Sequence, residues 1–167
     1  MVRHPRRHDP LKNLLGFIVG EVHYCLHISC VREIANPLPL VELPRAPHSL
    51  SGVADYRGEV VPVIDMRARF GLTLAPTTRR TKWILIDIGG RVVALVVDAV
   101  TDVFGTGGTE LRAAPALGGG DDLRGIEGVT SFDGRMVFVL DITRFAALTA
   151  PLLASGDIGG SPIQGPV

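Results

Sequence analysis

The sequence has little of what marks several common classes of protein. Aromatic residues make up only 5% of its 167 residues and apolar residues 46%, so aliphatic side chains must fill the core. Its 17 basic and 17 acidic side chains cancel, and the lack of net positive charge argues against binding to nucleic acid or to an anionic membrane surface. No apolar run approaches the roughly 20 residues that a membrane helix needs. The length suits one domain, or two small lobes that share a core.

The start of the chain and the cysteines carry no signal for secretion. The first residues are basic, and the short apolar stretch that follows ends at Glu21 without a small-residue cleavage pattern. We therefore expect a flexible basic tail over residues 1–14 and not a signal peptide. Cys25 and Cys30 are five residues apart in an expected strand, so they should point to opposite faces and remain reduced, as in cytoplasm.

What the chain does contain is an internal repeat. A shift of 69 residues places Gly20–Ile34 on Gly89–Val103, and a shift of 76 places Gly52–Met66 on Gly128–Ile142. Neither match needs a gap, and apolar, glycine and acidic positions recur in place. This self-similarity predicts a duplicated half-domain with a longer connection inside the second copy.

Each copy has the pattern of β structure. Gly20-Glu21 and Gly89-Gly90 fit two-residue type II′ hairpin turns, and Arg57-Gly58 and Asp133-Gly134 occupy the later hairpin tips. The near-continuous aliphatic strands suggest burial on both faces, and Pro62 then needs a strand edge or a barrel corner. Helices should be short, beginning after Asp65 and Asp141.

These patterns predict a mainly β domain over residues 15–150, with lobes at about 15–75 and 80–150 that pack as small barrels on a shared core. The Gly- and Pro-rich end, 151–167, should be a flexible tail.

No catalytic or metal-binding constellation is recognisable. His23 and His27 share a strand face but should lie about 13 Å apart, too far to hold one metal ion. Asp65 and Asp141 occupy duplicate positions, which favours helix capping over a catalytic pair. We therefore expect no enzyme activity, cofactor or metal, and look for a surface that binds other proteins.

Arg57 is the one residue that departs from ideal turn chemistry. Its duplicate position holds Asp133, and Asp-Gly is the stronger hairpin dipeptide. A long cation at a hairpin tip can reach a carboxylate or a binding partner, although an ordinary solvated tip residue is the simpler interpretation.

Several segments resemble the CheW-like domain family. They are Tyr24-x-Leu-x-Ile-x-x-Val-Arg-Glu-Ile34, the Arg57-Gly-Glu-Val-Val-Pro-Val-Ile-Asp-Met-Arg-x-Arg-Phe70 stretch, Val97-Asp98-x-Val-x-x-Val103, Leu111-x-x-Ala-Pro115 and Asp133-Gly-Arg135-x-Val-x-x-Leu-Asp141. The match runs in order from about Leu15 to Leu148. It implies two SH3-like, five-stranded barrels packed on a shared core.

The resemblance implies a bacterial cytoplasmic adaptor, found at membrane-associated receptor arrays. Such an adaptor joins the cytoplasmic tip of methyl-accepting chemoreceptors to the regulatory, CheW-like domain of a CheA-type histidine kinase, without a cofactor. The receptor tip would dock in the groove between the lobes, where Glu33 and Arg57 can pair. The residues implied are Ile28, Val31, Glu33, Ile34 and Arg57 for the receptor, and Leu38, Leu40, Leu43 and Gly52 for the kinase.

One departure and two alternatives accompany this resemblance. The family usually has Asn-Leu before Arg-Gly, but this chain has Asp55-Tyr56, and the extra carboxylate could compete with Glu33 for Arg57. A CheW-like paralogue could bind receptor or kinase and tune or insulate the pathway without coupling. A small barrel enzyme or ligand-binding protein would need a convergent polar pocket, which the sequence does not indicate.

Overall fold

The structure is a computed structural model that describes residues 13–105, 111–113 and 125–144. These ranges contain ten strands, a single 3-10 turn (Ile28–Cys30), one short helix, α1 (Met66–Arg69), and the start of a second helix at residues 142–144. The strands are β1 (Leu14–Val19), β2 (Val22–His27), β3 (Val31–Ala35), β4 (Leu50–Tyr56), β5 (Glu59–Asp65), β6 (Lys82–Ile88), β7 (Arg91–Val97), β8 (Ala99–Phe104), β9 (Ile126–Phe132) and β10 (Arg135–Leu140). Leu14 is a buried residue of β1, so the predicted flexible tail over residues 1–14 is wrong at this position. Residues 1–12, the predicted C-terminal tail and the part of the second predicted helix beyond residue 144 lie outside the described residues.

The element boundaries confirm the duplication. The shift of 69 residues carries β1, β2 and β3 onto β6, β7 and β8, and the shift of 76 carries β4 and β5 onto β9 and β10. The helix caps repeat as well. Asp65 Oδ1 accepts hydrogen bonds from the backbone N–H groups of Arg67 and Ala68, and Asp141 Oδ1 accepts from those of Thr143 and Arg144. Both aspartates therefore act as helix N-caps, as predicted.

The strands form two five-stranded sheets, each of which combines both copies. The first lobe has the order β8-β1-β2-β10-β9 and the second lobe the order β3-β6-β7-β5-β4. The lobe boundaries predicted at 15–75 and 80–150 are therefore wrong, because the first hairpin of each copy has moved to the sheet of the other. Parallel pairing of β2 with β10 and of β7 with β5 completes this exchange.

The largest cluster of buried side chains lies between the lobes and draws on both sheets. Leu15, Phe17 and Tyr24 enter it from the first lobe, and Ile64 and Ile84 from the second. Two smaller clusters fill the lobe interiors. Strand β7 shows why its sequence is continuously aliphatic: alternate residues face the core between the lobes and the interior of the second lobe.

Pro62 lies where no backbone donor is needed. Val53, its partner on β4, directs both its N–H and its C=O to Val41, so Val53 and Pro62 form a pair without mutual hydrogen bonds. On the other side of β5, pairing with β7 begins only at Val63. The corner position expected for the proline is thus explained by the place where β5 leaves its neighbour.

Candidate protein-interaction surfaces

The predicted Arg57–Glu33 pair is present at the exposed edge of the second lobe. Arg57 Nη2 lies 3.1 Å from Glu33 Oε2 and donates a hydrogen bond to Oε1 at 3.2 Å. Glu33 is on β3, and Arg57 is at the β4–β5 hairpin tip. The arginine side chain is 74% exposed and that of Glu33 33%. The pair therefore presents the remaining guanidinium donors to solvent.

A second, looser ion pair lies along the same edge. Arg32 Nη1 and Glu59 Oε2 are 3.8 Å apart, and both side chains are about half exposed. Together the two pairs connect β3 to the β4–β5 hairpin. Exposed pairs of this kind add little to the free energy of unfolding, typically below about 1 kcal/mol.

Asp55 does not compete with Glu33 for Arg57 as expected, and Asp55 and Tyr56 make other contacts at the hairpin tip. Asp55 Oδ1 accepts a hydrogen bond from the Gly58 backbone N–H at 2.9 Å, so this carboxylate closes the turn. The Tyr56 ring lies below the guanidinium, with Arg57 Cζ 5.2 Å from the ring centroid. The departure from the family pattern thus leaves the Arg57–Glu33 pair in place.

The apolar residues of β3 differ in how far they are committed to the core. Val31 lies opposite Ile86 and Ile34 opposite Ile84, and both β6 residues belong to the core between the lobes. Val31 packs on that core and is half-buried, whereas Ile34 is 42% exposed. Ile34 is therefore the β3 residue that is free to meet a partner.

The remaining predicted residue and a missed one complete this edge. Ile28 lies in the 3-10 turn that leads into β3, and it is half-buried. Val60, near the start of β5, is 71% exposed although the strand turns its neighbour Val61 fully inward. The exposure of Val60 could not be predicted from the sequence, because this valine belongs to an aliphatic run whose other aliphatic members are core residues.

The equivalent edge of the first lobe carries different charges. Asp133 occupies the tip position and Asp102 the position of the β3 carboxylate. Neither aspartate forms an ion pair with another residue among 13–105, 111–113 and 125–144. Arg135 instead contacts His23, with Nη1 3.1 Å from Nε2. The two lobes therefore share a backbone arrangement but not a charge pattern.

The residues predicted for kinase contact lie on and under the loop that follows β3. Leu38 packs against the interior of the second lobe, while Leu40 and Leu43 line a shallow surface depression together with Leu74. Leu74 was not predicted; it is exposed and belongs to the segment that connects the two copies. Val41, between the predicted leucines, is also exposed.

Gly52 is buried, so a direct contact with a partner is not available to it. Val41 and Val53 exchange backbone hydrogen bonds of 2.8 and 3.0 Å directly beside it. A side chain at Gly52 would collide with the Val41 carbonyl, and its φ of +148° disfavours other residues. Gly52 therefore supports the loop that carries the exposed leucines.

A partly buried ion pair connects the lobes at Asp98, between β7 and β8, which is one of the two places where the chain passes from one sheet to the other. Arg67 Nε and Nη2 each lie 2.8 Å from the Asp98 carboxylate, which also accepts the Gly20 backbone N–H at 2.7 Å. This hydrogen bonding raises the pKa of Arg67. The duplicate positions are Ser29 and Thr143, which cannot form such a pair. The contact thus fixes the β1–β2 turn of the first lobe to the helix that follows β5.

The titratable groups that could suggest catalysis have structural partners. His27 Nε2 lies 3.3 Å from Glu127, so neither strand histidine stands isolated. Cys25 and Cys30 are both free thiols, and burial raises the pKa of Cys25 to about 12. Cys30 lies in the 3-10 turn and not in a strand as expected. Among the described residues, no group of ligating side chains is arranged to hold a metal ion.

These features define a class of protein: a two-lobed β scaffold with exposed, charged edges. The family model for the CheW-like domain matches residues 13–149, and the chain belongs to that family. Its two sheets are the SH3-like barrels of the family fold. The family is one of non-enzymatic scaffold proteins in chemotaxis, and the chain is accordingly a chemotaxis adaptor.

Individual relatives agree with this assignment. The chain is 33% identical over 131 residues to chemotaxis protein CheW of Rhizobium meliloti, covering 78% of this chain and 84% of the relative. It is 29% identical to chemotaxis protein CheW of Klebsiella aerogenes, covering 80% of each chain. The crystal structure of the scaffolding protein TtCheW from Thermoanaerobacter tengcongensis superposes with a TM-score of 0.73 at 26% identity, covering 84% of this chain and 91% of that one. No helix in the described parts of the chain is long and apolar enough to cross a membrane.

Proposed function

We propose that this chain joins the cytoplasmic tip of a methyl-accepting chemoreceptor to the regulatory, CheW-like domain of a CheA-type histidine kinase. The observation that carries the proposal is the Arg57–Glu33 pair, held at an exposed edge beside Ile34. A cation that is already oriented loses less entropy when it binds than one that must first be ordered.

The receptor-facing surface combines this pair with exposed aliphatic side chains. A helical hairpin tip could cover Ile34 and Val60 while its polar groups meet Arg57. Complete burial of an aliphatic side chain contributes about 1.5–3 kcal/mol, so two such contacts support a modest affinity. The proposed receptor-contacting set is Ile28, Val31, Glu33, Ile34 and Arg57, with Val31 and Ile28 lying partly under the surface.

The kinase-facing surface is the loop that follows β3. Leu40 and Leu43 offer apolar contact at the shallow depression, while Leu38 anchors the loop from below. Gly52 contributes indirectly, because it lets the loop lie close to β4. This surface and the receptor-facing surface use different residues, so the adaptor can hold both partners together. Such a complex would form in the bacterial cytoplasm, at receptor arrays on the membrane.

The test is reconstitution of receptor, kinase and this protein, with kinase autophosphorylation as the readout. We expect the wild-type chain to raise autophosphorylation in the presence of receptor, and Arg57→Glu to abolish the increase. The matched control is Asp133→Asn at the equivalent tip of the first lobe, which should behave as wild type. Adding Glu33→Arg to Arg57→Glu should restore part of the activity if the two residues mainly orient each other.

Other outcomes of this reconstitution would distinguish the ways in which the proposed function could be wrong. Receptor binding without any effect on the kinase would identify a protein that tunes or insulates the pathway. Failure of the wild-type chain to bind either partner would overturn the proposal. Full coupling by Arg57→Glu would leave the adaptor role intact but remove the hairpin tip from it.

A further inference from the structure

The ion pair with Glu33 does not by itself hold the Arg57 side chain in one orientation. Arg57 is 74% exposed, and it contacts Glu33 through one guanidinium nitrogen. A single exposed ion pair holds a long side chain weakly, because solvent screens the attraction and the side chain loses rotamer freedom. A further contact is needed if the guanidinium is to keep one orientation.

The Tyr56 ring supplies that contact. Arg57 Cζ lies 5.2 Å from the ring centroid, within the range of a cation–π interaction. The tyrosine is 8% exposed and packs in the interior cluster of the second lobe with Val61 and Trp83. Because the ring is fixed by its packing, it supports the exposed arginine from below.

The first lobe shows what the same position does without an arginine. Phe132 occupies the place of Tyr56, and it stacks on Phe104 with the ring centroids 4.2 Å apart. The residue equivalent to Phe104 in the second lobe is Ala35, which offers no ring to stack on Tyr56. The aromatic residue of the first lobe therefore packs within its own lobe, whereas that of the second meets the guanidinium.

We propose that Tyr56 is a positioning residue for the receptor-facing surface: its packed ring holds the Arg57 guanidinium in contact with Glu33. The receptor part of this inference rests on the proposed function. The positioning itself concerns the isolated protein, and it can be measured without any partner.

The first experiment is NMR of the full chain in the absence of receptor. Side-chain protons of Arg57 that lie over an aromatic ring should resonate upfield of their random-coil positions. Tyr56→Phe should keep this shift and Tyr56→Leu should remove it, while Phe132→Leu in the first lobe should leave it unchanged. Random-coil positions in the wild-type protein would overturn the proposal before any variant is made.

The second experiment measures the affinity of these variants for a receptor cytoplasmic fragment. Loss of a cation–π contact at an exposed site should weaken binding by about two- to five-fold in Tyr56→Leu, with Tyr56→Phe close to wild type. In an Arg57→Ala background, Tyr56→Leu should have no additional effect. Equal losses in Tyr56→Leu and Phe132→Leu would point to general packing and overturn the proposal. Absence of receptor binding by the wild-type chain, with the upfield shift intact, would overturn the proposed function while upholding the role of Tyr56.

Discussion

Substituting Arg57 by asparagine should separate the contribution of the hairpin tip to stability from its contribution to binding. Arg57 and Gly58 have φ values of +51° and +80°, the geometry of a type I′ turn. The left-handed region costs an ordinary L-residue about 1–2 kcal/mol, and asparagine tolerates it better. On backbone grounds alone, Arg57→Asn should therefore stabilise the fold.

The side-chain contacts of Arg57 oppose this gain. The exposed ion pair with Glu33 contributes about 0.2–1 kcal/mol, and the contact with the Tyr56 ring about 0.5–1 kcal/mol. Because the gain and the losses are of similar size, we expect the free energy of unfolding to change by less than about 1 kcal/mol. For a chain of this length, that is a shift in Tm of no more than about 2–4 °C.

Binding should respond very differently to the same substitution. An arginine that anchors an interface typically contributes 2 kcal/mol or more, which corresponds to an increase in Kd of about 30-fold. Urea unfolding and titration with a receptor fragment measure the two effects on the same protein samples. In a Glu33→Gln background, Arg57→Asn should become stabilising, because part of the opposing contact is already gone.

The equivalent hairpin tip of the first lobe provides the matched control. Asp133→Asn changes the equivalent tip of the first lobe, which also has a positive φ, and should alter neither stability nor binding. A loss of more than about 2 kcal/mol in Arg57→Asn would show that the arginine is mainly structural. Unchanged receptor affinity would make it an ordinary turn residue.

Three further predictions concern other parts of the structure. Ile34→Asp should weaken receptor binding with little change in Tm. Val31→Asp should unfold or strongly destabilise the protein, because it places a carboxylate against the core. Equal Tm values for the two variants would contradict this prediction. Gly52→Ala should cost about 2 kcal/mol or more in urea unfolding, because its Cβ meets a backbone carbonyl, whereas Gly58→Asn has open space around its Cβ and should cost far less. Burial raises the pKa of Cys25 from 9.0 to about 12, so the folded protein favours the neutral thiol. The free energy of unfolding should therefore fall as the pH rises above 9, where the unfolded chain loses this proton first. Cys25→Val should reduce that decline.

The strands and turns were largely predictable from the sequence because they depend on local patterns. Gapless self-matches located the hairpins, and the caps at Asp65 and Asp141 followed from residue type and position. One turn type was wrong: Gly89 and Gly90 both have positive φ, so they form a type I′ turn, which a pair of glycines permits as readily as type II′.

The exchange of strands between the copies could not be predicted in this way. A repeat identifies equivalent segments, but the same hydrophobic pattern is satisfied whether a hairpin pairs within its own copy or with the other. The choice depends on the crossings around the 3-10 turn and Asp98, where the chain passes from one sheet to the other. Local sequence does not specify the direction of such a crossing.

The candidate site was predictable only in part, for a related reason. The Arg57–Glu33 pair came from the family resemblance and is present in the structure. The support from Tyr56 could not be predicted, because it requires knowing that the ring meets the guanidinium while Ala35, in place of Phe104, offers no ring to stack on it. Val60 was missed because an aliphatic run gives no sign of which member the strand turns outward.

Divergence between the two copies gives the two lobes different surface charges. Two identical lobes would offer two copies of one docking surface, and such a protein would collect two molecules of the same partner. Here the shared backbone positions carry Arg57 in one lobe and Asp133 in the other, and the β3 carboxylate is paired in one lobe while its counterpart, Asp102, has no such partner among the described residues. Because opposite charges stand at equivalent positions, a charged group that one lobe attracts is repelled by the other, and we expect only the second lobe to bind the receptor tip. With the receptor bound at one edge only, the proposed kinase-facing loop of the same lobe stays available, and the adaptor joins two different partners instead of two copies of one.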